Sequence, residues 1–118
     1  MTEIWTLDHP SKRTQFRYEG STDTGVTLLQ TGSPRIEPAF FRAALEAFKG
    51  REIKSGFKED DPPRGGFGEW VQNNSRTINH RGLTPRHGSF MAAILCHEAK
   101  VTSRVSGMAV WLRFPKAR

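Results

Sequence analysis

The sequence predicts an α+β fold in which extended N-terminal strands precede three helices and a C-terminal β-hairpin. Three observations carry this. Phe41, Leu45 and Phe48 recur at i, i+4 and i+7 within residues 36–49, the spacing that lines one face of a helix. Thr84-Pro85 opens a second apolar run, with a hydroxyl suited to capping and a proline that needs no amide partner in the first turn. Beyond Lys100 the pattern changes to alternation about Ser106-Gly107, as a hairpin requires.

Residues 1–32 read as extended. Ile4-Trp5-Thr6-Leu7 is a short β-type run stopped by Asp8-His9-Pro10, and Thr14 to Tyr18 alternates polar with aromatic. Glu19 to Gly25 is turn-like, and Val26 to Gln30 is a third strand candidate before Gly32-Ser33-Pro34. These pieces form either a small sheet or an arm laid over the core, and pairing with the hairpin would make a larger sheet.

In helix 36–49, Phe40, Ala44 and Ala47 widen the apolar stripe, Arg42, Glu46 and Lys49 face solvent, and Gly50 is placed to end it. Arg51 to Phe57 is a short strand candidate. Lys58 to Gly66 combines an acidic triplet with paired prolines and paired glycines, which marks a surface loop; its carboxylates lack calcium-loop spacing. Phe67, Trp70 and Val71 then set a short helix over 67–74, and Arg76 to Gly82 is polar and basic with Ile78 as its anchor.

On a wheel of helix 84–99, Phe90, Met91, Ile94 and Leu95 share one face. Ser89, Ala92, Ala93 and Cys96 make the opposite face small, so a second element is expected to approach there. Only the first turn is left to contact a ligand.

At 118 residues the chain suits one domain spanning 1–118, with an arm or sheet at 1–32 and a helical core plus hairpin at 36–114. The hydrophobic fraction is 36%, but eight Phe and three Trp supply large buried areas. Cys96 is the single cysteine and reads as a reduced, packed thiol, which suits a cytoplasmic setting. The N-terminus lacks a signal-peptide layout, and no apolar run approaches the about 20 residues of a membrane span. No membrane partner is therefore expected. Nothing in the sequence sets an oligomeric state.

Motifs for enzymatic chemistry are missing: there is no P-loop, GxGxxG, HExxH or GxSxG. His87 and His97 lie ten residues apart on one helix, too far along it to share a metal. Cys96 and His97 are adjacent on a helix and point apart, so they make no nucleophile–base pair. The expectation is a non-enzyme without cofactor, metal or catalytic residue.

Charge is the informative property. Residues 1–75 hold ten Lys/Arg and eleven Asp/Glu, whereas residues 76–118 hold eight Lys/Arg against Glu98 alone. All of the net charge of +6 thus comes from the last third, which favours an anionic partner. Nucleic acid is the first expectation, DNA ahead of RNA because no interleaved aromatic-basic motif signals base stacking. An acidic protein surface is the alternative, met by an adaptor or inhibitor docking through the hairpin or the N-terminal strands.

Helix 36–49, helix 67–74, a connection, helix 84–99 and a hairpin follow one another in an order that resembles winged helix-turn-helix domains. The resemblance covers residues 36–114 and rests on element order. It departs in two ways: the connection 75–83 exceeds the usual 3–4-residue turn, and the third helix has no broad polar face. It implies a third helix whose N-terminal residues approach DNA and a hairpin that touches the backbone. On this chain it implies contacts by Arg81, Arg86, His87 and Ser89 and by Arg104 near the hairpin tip, with Thr84 offering a backbone amide to phosphate. Arg76, Lys100 and Arg113 complete the candidate nucleic-acid-binding set. Contact mainly with phosphates is expected, with base preference confined to Arg86.

Overall fold

The computed structural model describes residues 1–7, 13–30, 32–56, 63–107 and 109–116. The N-terminal segment is a four-stranded antiparallel sheet rather than an arm: β1 (Thr2–Trp5), β2 (Gln15–Ser21), β3 (Gly25–Leu28) and β4 (Arg35–Ile36) lie in that order. Alternation in β2 sends Phe16 and Tyr18 into the core and leaves Gln15, Arg17 and Glu19 outside. The strand runs further than its turn-rich sequence suggests, because Gly20 at φ +93° stays paired with Val26. A side chain at Gly20 would collide with the Gly25 carbonyl.

Three helices follow. α1 (Pro38–Ala47) buries Phe40, Phe41, Ala44 and Leu45, the stripe its periodicity predicts, although Ala47 faces out. β5 (Glu52–Lys54) leads into α2 (Phe67–Asn74), which passes directly into a π-helical turn over Ser75–Asn79. α3 (Pro85–His97) then runs through the middle of the molecule. The expected loop at 58–66 lies largely outside the described residues, as do His9 and Met108.

The hairpin forms as expected. β6 (Thr102–Ser106) pairs with β7 (Ala109–Arg113), and Gly107 takes φ +63° at the turn. β5 adds to the other edge of β7, giving a second antiparallel sheet in the order β5-β7-β6. The two sheets are separate, so the N-terminal strands do not extend the hairpin.

One apolar cluster unites both sheets and all three helices, from Phe16, Tyr18 and Val26 through Phe41, Val71 and Ile94 to Leu112 and Phe114. Phe48 sits among Phe67, Trp70 and Phe114 with ring centroids 6.1, 5.8 and 5.2 Å away. Phe16 of β2 meets Phe90 of α3 at 4.8 Å. Such tilted contacts add about 0.5–1.5 kcal/mol per pair beyond area burial.

Ser89, Ala92 and Ala93 are buried, so α3 is packed on its small-residue face as well as its apolar one. Polar clips hold this arrangement. Thr22, in the β2–β3 turn, donates its amide and hydroxyl to the Glu98 carboxylate at the end of α3. Asn79, buried in the π-helical turn, accepts from the Glu37 amide at 2.6 Å and donates to the Arg35 carbonyl at 3.0 Å. The long connection before α3 is thereby anchored by polar groups, where its sequence offered Ile78.

Candidate nucleic-acid interface

The first turn of α3 lines a concave groove. Thr84 stands at its N-cap, and the Thr84 amide donates to Nδ1 of His87 at 3.0 Å. A backbone N–H can only donate, so this bond fixes Nδ1 as the acceptor and requires it to be unprotonated. It is the returning half of a capping box, with histidine in the place usually taken by Glu or Gln. The Thr84 hydroxyl lies 3.2 Å from the same nitrogen.

These residues form one wall of a groove of about 360 Å³. The other wall is the start of β2, with Thr14, Gln15 and Arg17, and the end of the β3 segment, with Leu29 and Gln30. Phe16 and Phe90 also line it, with their rings tilted at 55° to each other. Arg17 and Arg86 both line it, and both side chains are exposed. The lining residues include two arginines, two side-chain amides and two threonines beside the aromatic pair. That is suited to an anion with several oxygen acceptors.

No family model, curated protein or solved structure matches this chain.

The other expected residues take varied positions. Ser89 is a correction: it is 3% exposed, and its hydroxyl donates to the Arg86 carbonyl at 2.7 Å, which withdraws it from any surface. The Thr84 amide is likewise engaged by His87 rather than presented to a phosphate. Lys100 reaches back to Asp23 in the β2–β3 turn, with Nζ 2.7 Å from the carboxylate. Arg81 is exposed, and its Nη1 donates to the Gly32 carbonyl at 3.4 Å. Arg76 is exposed, its guanidinium folded over Gly82.

Arg104 and Arg113 share the outer face of the second sheet. Arg104 donates to both oxygens of Glu52 at 2.9 Å, a bidentate pair across β7 from its own strand. Those hydrogen bonds, joined by the charges of Arg104 and Arg113, hold the Glu52 carboxyl below its usual range. Arg104 therefore sits two residues before the hairpin tip and is directed onto the sheet. Arg113 also borders a shallow depression of about 240 Å³ with Lys100.

Thr84, Arg86 and His87, expected together from the sequence, line one groove, and Arg17, which was not among the expected residues, lines it too. The alternation over residues 14–18 marks Arg17 as outward-facing. Nothing local marks its neighbour, because β2 and the start of α3 are far apart along the chain.

Proposed function

We propose that this chain binds nucleic acid, chiefly DNA, through backbone phosphates held in the groove between β2 and the first turn of α3. The observation that carries the reading is that Arg17 and Arg86 line the same groove. Phosphate oxygens suit paired guanidiniums, and the amides of Gln15 and Gln30 add donors for sugar and phosphate oxygens. The basic last third supports the reading through Arg76, Arg81 and Arg86, which remain exposed around the same helix start.

The order α1, β5, α2, α3, β6, β7 supports the likeness to winged helix-turn-helix domains, and β5 joins the hairpin to widen the wing. The interior of α3 does not support a reading helix laid along the major groove, since residues 88–95 are buried. Sequence-independent contact is the mode the geometry favours. The test is a mobility-shift titration with a mixed-sequence duplex at low salt. Wild-type protein is expected to bind, and Arg17→Ala with Arg86→Ala together to weaken binding at least tenfold. Failure of the wild-type protein to bind at low salt would remove the reading.

A second reading is a protein-interaction module. It is favoured by the two open sheet edges, where β6 is exposed along its length and Trp5 on β1 is 50% exposed. Pull-down that survives high salt and depends on Trp5 would support it over the first.

A further inference from the structure

On the outer face of the second sheet stands a feature that neither the groove nor the core uses. In β7, Val110 and Leu112 point into the core, so Ala109, Trp111 and Arg113 point out. Strand register places Lys54 of β5 on one side of Trp111 and Arg104 of β6 on the other. The Lys54 ammonium lies 6.0 Å from the Trp111 ring centroid and the Arg104 guanidinium 5.4 Å from it. One residue pair further on, Arg113 lies between Glu52 and Thr102.

The result is an indole on the central strand of a three-stranded sheet, with a cation from each neighbouring strand and a third cation two residues along its own. Three cations meet one carboxylate, Glu52, whose oxygens are taken up in orienting Arg104. The remaining positions on this face, Thr102, Ser106 and Ala109, are small, so Lys54 and Arg104 are the long side chains that stand against the ring. Trp111 is half-buried on this face. Here the neighbours are cations, which stack on aromatic faces and also pair with phosphate.

We propose that this face binds single-stranded DNA, with one base taking the place of Lys54 against Trp111, on the ring that Arg104 also contacts, and the adjoining phosphates on the displaced Lys54 and on Arg113. The inference rests on the nucleic-acid reading above, but on different residues, and it specifies unpaired nucleotides as part of the ligand. A duplex keeps its base faces covered, so only an unpaired base can use the ring. Stacking of this kind is tolerant of sequence, because every base has a π-face. The charge of the face is set by Lys54 and Arg113, so binding there also weakens with salt.

The experiment compares a thymidine oligonucleotide with a duplex, using wild-type protein, Trp111→Ala, Trp111→Phe and the Arg17→Ala/Arg86→Ala double variant. A second oligonucleotide carries 5-iodouracil, and the site of photocrosslinking to wild-type protein is mapped by mass spectrometry. Trp111→Ala is expected to weaken single-strand binding about 5- to 100-fold, with Trp111→Phe retaining most of it and the crosslink falling on Trp111. Single-strand binding unchanged by Trp111→Ala, or a wild-type crosslink elsewhere, overturns this inference while duplex binding lost in the double variant leaves the groove standing. Absence of binding to either oligonucleotide overturns both. The crosslink is read on wild-type protein, so a folding defect in Trp111→Ala cannot decide the outcome.

Discussion

Glu98 and Thr22, 76 positions apart, are joined by three hydrogen bonds that tie the end of α3 to the β2–β3 turn. The hydroxyl bond is the shortest at 2.8 Å, and Thr22 is buried. With Lys100 paired to Asp23 beside it, this clip holds the N-terminal sheet against the helix. It anchors the end of α3, whose residues 88–95 are buried.

Glu98→Ala is therefore expected to destabilise the fold by about 2 kcal/mol, since it strands a buried hydroxyl and its amide together. Urea unfolding measures this. Lys100→Ala removes a pair whose Asp23 partner is largely in solvent, and is expected to cost well under about 1 kcal/mol. Equal losses in the two variants would contradict the account of the clip.

Ala92 tests the packing of α3 on its second side. It is fully buried, and Ala92→Leu inserts three carbons into a filled space, at a cost of about 1–3 kcal/mol. A neutral effect on the urea midpoint would show that the small face has room to spare.

Tyr18 is the only tyrosine, so absorbance at 295 nm reports on it alone. Burial, with the nearby Glu98 charge, raises its pKa above the ordinary value of 10.0, opposed by a hydrogen bond with Thr2. The folded protein is expected to titrate above 10 and the urea-unfolded protein near 10. A raised folded pKa means the native state prefers the neutral phenol. Its contribution is complete below pH 10 and is lost as pH rises from there through the folded pKa. A midpoint at or below 10 in the folded protein would contradict the burial of this ring.

Cys96 gives a complementary probe. Burial pushes its thiol pKa up, against a hydrogen bond with Ser103. Reaction with an aromatic disulfide reagent at neutral pH is expected to be slow in the folded protein and to accelerate on unfolding. Equal rates in both states would place the thiol outside the packed helix end.

Much of this architecture was legible in the sequence because it is local. The stripe Phe41, Leu45, Phe48, the Thr84-Pro85 start and the Ser106-Gly107 turn each act within one element, and each appears where periodicity and turn chemistry place it. Charge along the chain was a poorer guide, since folding is what decides which charges meet. Arg104 and Lys100, from the basic last third, are paired with Glu52 and Asp23 from the balanced part. Arg17 comes to the groove from that same balanced part. The stacking arrangement around Trp111 was invisible for a similar reason: Lys54, Arg104 and Trp111 form no sequence motif, and only strand register assembles them. Ser89 is expected at the ligand from its place at the helix start, although the wheel puts it on the small face, and the packing of that face withdraws it.

The most direct test of the central claim, that Arg17 and Arg86 together hold phosphate, is the slope of log affinity for duplex DNA against log salt. Each phosphate contact contributes about 0.9 to that slope. Arg17→Ala/Arg86→Ala is expected to flatten it by about 2, whereas Lys100→Ala, whose charge is held by Asp23, leaves it unchanged. A double variant with the wild-type slope would contradict the account.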